Sequence, residues 1–411
     1  MPSIFRGYEI LRIRSYRLYW IGQWISLIGT WMQSATQAWL LTRLTDDRFA
    51  LGLLGAASSA PFLVFVLMGG WLSDRVDKRR LIILTQLLSL LQALLLSYVT
   101  LVGAVNPAQI IVLAALLGTI NAFDIPARQS FIIQLVGTEH LPSAIALNAT
   151  AFNVARVVGP AIAGLLVAAT GEGICFLINA VSYIAVVWGL LLIPPLPRTA
   201  SSDANRGDAS VIAGLRHVRA RPEIWQVLAV VGTVSAIAVP YRTFLPAMAR
   251  DVLHVGAWRY GLLMSAAGAG AGIAGFILAG LKLSQQRYWR LLPLALLTFA
   301  VALGAFAAST SYALSLILLF VLGGGGVLHF NVSNTLVQLN VEDSYRGRVM
   351  SIYALMHQGT ATFGSLLLGA VAASRGTPVA LFLGACICII ALIALLFARR
   401  RSTPPAVATA G

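Results

Sequence analysis

Charge is scarce in this chain. Only 10% of its 411 residues are Asp, Glu, Lys or Arg, against roughly 25% in a soluble domain, so most of its surface is not built to meet water. Acid is scarcer still: 14 Asp and Glu stand against 29 Lys and Arg, and no acid lies at the centre of an apolar run. Cysteine is nearly absent. Cys175, Cys386 and Cys388 are three in number and all inside apolar runs, which argues against a disulfide framework and favours small buried hydrophobes. The ten-residue alternation of an outer-membrane barrel is missing. So are H-E-x-x-H, G-x-S-x-G, paired intramembrane aspartates and the phosphate-cradling G-x-x-x-x-G-K-[ST]. Metal-dependent or serine hydrolysis and an ATP-driven pump are therefore disfavoured. No metal site, cofactor or enzymatic activity is expected.

What the chain has is hydrophobic residues, 58% of the total, gathered into long runs. About 20 apolar residues make a helix that crosses roughly 30 Å of hydrocarbon. Twelve spans are predicted, near 18–41, 51–71, 81–101, 108–125, 144–168, 174–193, 225–247, 258–280, 291–308, 312–335, 350–373 and 378–398. The fold class is an all-α integral membrane protein.

The net charge of +15 does not point to nucleic acid, because its distribution follows the spans. Most Lys and Arg fall in loops of one side if the N-terminus is cytoplasmic, and both termini are then cytoplasmic. Arg6, Arg12, Arg14 and Arg17 agree in this with Arg399, Arg400 and Arg401. No cleavable signal is evident: an Arg-bearing start leads directly into a full-length span. The expected location is a bacterial inner membrane.

The long polar interior stretch begins at Pro194-Pro195-Leu196-Pro197 and ends in a short basic helix with His217, Arg219 and Arg221. It divides the chain into a six-span body over 1–193, a cytoplasmic linker over 194–223 and a second six-span body over 224–411. A faint repeat supports the division: Gln134-Leu135 and Gln338-Leu339 are separated by 204 residues, as are Ser143-Ala144-Ile145 and Gly347-Arg348-Val349. Two related bodies would place a binding site at the midplane between them.

The loop Gly70-Trp71-Leu72-Ser73-Asp74-Arg75-Val76-Asp77-Lys78-Arg79-Arg80 joins spans two and three. It resembles the signature loop of the major facilitator superfamily, with Asp77 where many members have glycine. Gly29-Thr30-Trp31-Met32-Gln33, Asp124-Ile125-Pro126-Ala127-Arg128-Gln129-Ser130, Ala155-Arg156-Val157-Val158-Gly159-Pro160 and Arg346-Gly347-Arg348-Val349-Met350-Ser351 extend the resemblance to the enterobactin-exporter-like branch, which is largely uncharacterised or described as efflux. It implies two pseudo-symmetric six-helix bundles and a monomer-competent secondary transporter that exports a small organic molecule (siderophore, drug or metabolite) by alternating access and proton antiport. A facilitator or importer of a polar or lipidic metabolite stays open as the alternative, and a receptor or scaffold is disfavoured.

The resemblance also implies residue roles. Asp74 is expected to dock at the start of span eleven after Arg348, where a helix N-terminus stabilises a carboxylate, latching the cytoplasmic side with Gly70, Arg75, Arg79 and Arg128. Gly159, Pro160 and Gly164 in span five and Gly268 and Gly272 in span eight are expected to pack between the bodies. Spacing alone puts Gln23, Ser26, Thr30, Gln33 and Gln37 on one face of span one, where polar side chains are expected to face protein or a water-filled cavity. The family trend adds Asn121, Arg242, His329 and Asn331 to that cavity. Arg156 and Arg242 are intramembrane charges and so functional candidates by default, with Arg242 placed to snorkel outward between Pro240 and Pro246. Trp20 and Trp39 suit interfacial belts. Thr30 stands where some relatives carry aspartate, which leaves Asp124, His329 and His357 as proton carriers.

Overall fold

A computed structural model describes residues 10–194, 211–342 and 345–401. Among them the secondary structure is helical, with no strand. Residues 195–210 of the expected linker lie outside the described residues, as do Met1–Glu9 and the chain beyond Arg401.

The elements are α1 (Arg14–Leu44), α2 (Phe49–Arg75), α3 (Lys78–Leu101), α4 (Pro107–Thr170), α5 (Glu172–Leu191), α6 (Val211–Ala220), α7 (Pro222–Ile237), α8 (Tyr241–Ala247), α9 (Ala257–Gly280), α10 (Gln285–Ala308), α11 (Tyr312–Asn340), α12 (Arg346–Ala354), α13 (Thr360–Arg375) and α14 (Thr377–Arg401). π-turns at Met248–Val252 and Leu355–Gly359 follow α8 and α12.

Nine helical runs are long and apolar enough to cross a membrane among the described residues. The sequence expectation of twelve differs for three physical reasons. α4 is 64 residues long, roughly 96 Å at 1.5 Å per residue, about three bilayer thicknesses. It is not one rod: Gly137 sits at φ 69°, open to glycine without a Cβ penalty, and the chain reverses there. Its first limb begins beside Gln37, which donates to the Ile110 carbonyl. Its second limb returns to the same end, where Gly164 meets Ala257. The run from Arg346 to Arg375 is interrupted by a π-turn, and α1 is not among the nine; its line of glutamines lowers the hydropathy.

Two caps fix the ends of elements. Asn106 and Gln109 form a capping box ahead of α4, and Asp77 accepts from the Arg80 amide at 3.0 Å, capping α3. That is the physical use of an aspartate where the signature loop more often has glycine. The outer surface is a belt of exposed apolar side chains such as Phe276, Val112 and Ile390, as a lipid-facing surface requires.

One end of the molecule is basic. It gathers Arg75, Lys78, Arg79 and Arg80, the start of α1 and the end of α14. Arg79 donates there to the Leu191 carbonyl and Arg399 to the Trp289 carbonyl. α6 lies at this end as well, with Gly214 against Arg348 and His217 stacked on Tyr345 at 4.1 Å.

Candidate functional site: a cationic pocket at the apex of a one-sided cleft

Two seams join the N-terminal helices to the C-terminal ones, α2 against α13 and the second limb of α4 against α9. Both are tight at the end opposite the basic one. A Cβ on Gly369 would stand 2.9 Å from the Cα of Gly52, and one on Gly164 would stand 2.6 Å from the Ala257 carbonyl. Only glycine permits backbones so close. Towards the middle, Ser59 and Thr362 hydroxyls meet at 2.8 Å and Ser265 donates to the Val157 carbonyl at 2.6 Å. Towards the basic end the seams part. A Cβ on Gly272 would meet only Asn153, at 3.7 Å, and ones on Gly280 and Gly70 would meet nothing within 4 Å.

The tight end carries an ion-pair cluster across the seam. Arg48 reaches Asp251 at 2.6 Å, and Arg250 reaches Asp46 at 3.2 Å and the Thr42 carbonyl. Trp39 is buried there, stacked on Tyr260 at 5.3 Å, and the Tyr260 hydroxyl donates to the Ala35 carbonyl. Trp39 is therefore a seam residue and not part of an interfacial belt.

At the apex of the cleft Trp31, Arg156, Tyr241, Arg242, Leu245, Met264 and Ala267 line a pocket. Local sequence explains each wall. Pro240 has no N–H to give to the carbonyl of Ala236, so the helix breaks between α7 and α8, and the new first turn presents Tyr241 and Arg242. Arg242 lies beside the Tyr241 hydroxyl, Nε to oxygen 3.5 Å, and turns into the pocket instead of snorkelling outward. Pro160 likewise frees the carbonyl of Arg156, and Gly268 packs on it, its absent Cβ 2.9 Å from that oxygen. Gly159 makes room for the root of Trp31, which lies 2.7 Å from where a Cβ would be. The Arg156 guanidinium stands 6.0 Å from the Trp31 ring centre.

Arg156 is 7% exposed and its Nη2 has no hydrogen-bond partner. Among the described residues neither Arg156 nor Arg242 makes a salt bridge. His357 lies in the π-turn of Leu355–Gly359 and meets Phe330 edge-on at 4.2 Å. His329 is fully buried against Phe330, with neither ring nitrogen hydrogen-bonded. The interior at the seam is thus cationic and aromatic, with no acid beside it among the described residues.

The stripe of α1 is placed differently from its expected role. Gln33 donates to Gln92 at 3.1 Å and accepts from Asn179 at 2.7 Å. Gln37 is tied to α4 and Thr30 to its own helix at Ser26. Gln23 accepts from Arg128, which also pairs with Asp124. Asp124 is 1% exposed and receives Thr85 at 2.6 Å and Gln86 at 3.1 Å. These groups face α3, α4 and α5, not the pocket; the next residue round the helix, Trp31, faces it. Arg128 and Asp124 sit inside this interhelical network and not on the basic-end surface where a latch was expected. Asn121 is half-buried and Asn331 exposed, and neither lines the pocket.

The expected latch is not assembled in this conformation. Asp74 is exposed without a described partner, Arg75 lies over Trp71 at 4.2 Å, and Arg348 lies over Tyr345. Sequence reasoning missed the ion pairs at the tight end. Their signal was present: Asp46-Asp47 and Arg250-Asp251 are separated by the same 204 residues as the faint repeat.

A family model described as transmembrane secretion effector matches residues 6–408. The enterobactin exporter of Escherichia coli O6:K15:H31 is 24% identical over 97% of this chain and 96% of its own length. The staphyloferrin A transporter of Staphylococcus aureus is 26% identical over 85% of this chain and 86% of its own length. In fold, a bacterial homologue of the human lysosomal transporter Spinster, solved inward-facing and unoccupied, superposes with a TM-score of 0.74 at 15% identity, covering 97% of this chain and 98% of its own. The D-xylose–proton symporter does so at 0.70 and 12%, covering 94% and 97%.

Proposed function

The chain belongs to the transmembrane secretion effector family of the major facilitator superfamily, and from that membership we propose that it exports a small, siderophore-like organic molecule by alternating access, driven by proton antiport. It is a multi-pass membrane transport protein and not an enzyme. The observation that carries the proposal is the one-sided cleft: glycine seams shut one end while the same two seams part at the other, with a polar pocket at the apex. In this reading a solute reaches the pocket from the parted end, and rocking the bodies about the seams opens it to the other.

In this reading α4 crosses twice, α1 and the broken Arg346–Arg375 run each cross once, and twelve crossings form two six-helix bodies in a monomer. The basic end is cytoplasmic by the distribution of Lys and Arg, so the cleft faces inward. Closure on that side is the task of Gly70, Asp74, Arg75, Arg79 and Arg348 in the alternate conformation. Gly159, Pro160, Gly164, Gly268 and Gly272 supply the sliding surfaces. Siderophore-like cargo follows from relatives named for enterobactin export and staphyloferrin A transport. Protons enter through the family and through Asp124, the deeply buried carboxylate of α4.

The test is metabolite export. Isogenic cells with and without the gene are grown under iron limitation, and medium and cell extracts are compared by untargeted mass spectrometry. At least one small molecule is expected to move from medium to cell interior on deletion, and the same shift is expected when an ionophore collapses the proton gradient. Unchanged profiles would overturn export, and indifference to the ionophore would overturn antiport.

A further inference from the structure

We infer that the pocket between the seams is an anion subsite: it selects a solute carrying a carboxylate or phenolate on a flat ring, with the charge held between Arg156 and Arg242 and the ring against Trp31. This rests on the transport reading and specifies what the site recognises.

The charge balance of the interior carries the inference. A guanidinium keeps its charge under all ordinary conditions, and burying one without a partner is strongly unfavourable. Elsewhere the chain meets this requirement internally. Arg128 is half-buried and has the buried Asp124; Arg43 has Glu172, itself 6% exposed. Arg48 and Arg250 have Asp251 and Asp46. Arg156 and Arg242 break the pattern. Both line one pocket, neither has a carboxylate in reach among the described residues, and Arg156 keeps an unpaired Nη2 while 93% buried.

Two like charges in one small pocket repel each other. Folding alone would not select that arrangement, since replacing either with an apolar residue would remove the penalty. It is favourable once a negative group sits between them, where charge-assisted hydrogen bonds to two planar forks fix position as well as energy. Tyr241 supplies a neutral phenol beside both guanidinia. Trp31 has one face against Arg156, is held edge-on by Phe152 at 5.5 Å and is anchored where Gly159 leaves room. An indole held this way presents a rigid surface on which an electron-rich ring can stack.

Free space at the apex is small in this conformation, about 10 Å³, room for roughly one water. It seats the acid group between the guanidinia, and the ring lies along Trp31 towards the cleft. A larger solute would place that unit here and extend along the cleft. The same chemistry is offered by a lipid headgroup phosphate, so the test must separate a solute acid from a lipid.

The full-length protein is reconstituted in phosphatidylcholine nanodiscs, and binding is measured by isothermal titration calorimetry with 1-naphthoate, its neutral amide 1-naphthamide, and cyclohexanecarboxylate. Naphthoate is expected to bind at least tenfold more tightly than the amide. Arg156→Gln and Arg242→Gln are each expected to weaken naphthoate at least tenfold and leave the amide unchanged, while Arg156→Lys retains part of the affinity and reports that the pocket still folds. Trp31→Ala is expected to weaken naphthoate severalfold and cyclohexanecarboxylate little.

Equal binding of acid and amide, or wild-type affinity in both glutamine variants, overturns the inference. Discs doped with phosphatidylglycerol form the lipid arm: naphthoate binding lost in those discs and absent from Arg156→Gln would assign the site to a headgroup and overturn the solute reading. Binding does not depend on flux. An acid-selective pocket in a protein that moves nothing refutes the transport proposal alone, and transport without acid selectivity refutes this inference alone.

Discussion

The most incisive perturbation is a single methyl group placed at two depths of one seam. Gly164 and Gly272 both lie between α4 and α9, and alanine is the same chemical change at each. At Gly164 the new Cβ would stand 2.6 Å from the Ala257 carbonyl and 3.1 Å from the Cα of Gly261, whereas ordinary contact begins near 3.4 Å. Both neighbours are backbone, so no side chain can swing aside and the helices must separate by roughly 0.8 Å. Overpacking of this kind costs about 1–3 kcal/mol. At Gly272 the nearest atom is the Cβ of Asn153, at 3.7 Å, and the penalty vanishes. Alanine also raises helix propensity by about 1 kcal/mol, but equally at both sites, so the difference isolates the seam.

If the tight end must open for the transport cycle, Gly164→Ala raises the open population by about 5–150-fold, the factor that 1–3 kcal/mol produces. Thr42→Cys reports it, in a chain with Cys175, Cys386 and Cys388 replaced by alanine. Thr42 is 1% exposed, donates to the Ala38 carbonyl and offers its own carbonyl to Arg250. A membrane-impermeant maleimide should label it slowly in the parent, at least fivefold faster with Gly164→Ala, and at the parental rate with Gly272→Ala. Equal rates in all three, with melting curves proving that each is folded, would refute a seam that opens at this end.

Other expectations follow from the polar contacts. Asp251→Asn removes the Arg48 pair, worth at most about 1 kcal/mol at a partly exposed site, and should raise Thr42→Cys labelling two- to fivefold; high salt should give the same change in the parent. Asp124→Asn leaves the half-buried Arg128 without its counter-charge and should lower stability by about 1–3 kcal/mol, read as the melting temperature in detergent. Adding Arg128→Gln to it should recover most of the loss, and no recovery would show that the pair is not the source. Gln33→Leu takes one partner each from Gln92 and Asn179 and should destabilise by about 1–2 kcal/mol while leaving naphthoate affinity unchanged, because that network lies outside the pocket.

What the sequence made legible was governed by length and composition. Helices follow from apolar runs too long for any other element, and the family follows from the loop at Gly70–Arg80. Single-residue chemistry read through at Pro160, which frees the Arg156 carbonyl wherever the helix sits; Pro240, named only as a flank of Arg242, proves to free a carbonyl in the same way. Direction did not read through. Trp31 stands next to Thr30 and two residues before Gln33, yet faces the opposite way, because spacing gives a stripe and not its partner. Arg242 was ambiguous for a similar reason: a break at Pro240 re-aims the first turn of α8, and no periodicity carries across such a break. Asp124 sat at an uncertain depth because α4 has no sharp end there; the helix continues to Gly137.

The faint repeat clarifies what is mechanical and what is chemical in this molecule. Shifted by 204 residues, α2 falls on α9, and the second limb of α4 falls on α12 and α13. The α2–α13 seam and the α4–α9 seam are therefore images of each other, and both are tight at the same end. If the protein cycles as proposed, two equivalent seams on opposite sides of a pocket leave one simple freedom, rotation about the line that joins them, so loosening one seam at its tight end should loosen both. The pocket obeys no such symmetry. The same shift carries Arg156 to Thr360, whose hydroxyl bonds to the Gly232 and Met356 carbonyls, and Arg242 back to Ala38. Neither arginine has a counterpart. The repeat relates the two seams to each other, whereas each uncompensated charge stands in one half only, Arg156 on α4 and Arg242 on α8, so the pocket is where a particular cargo would have to be met.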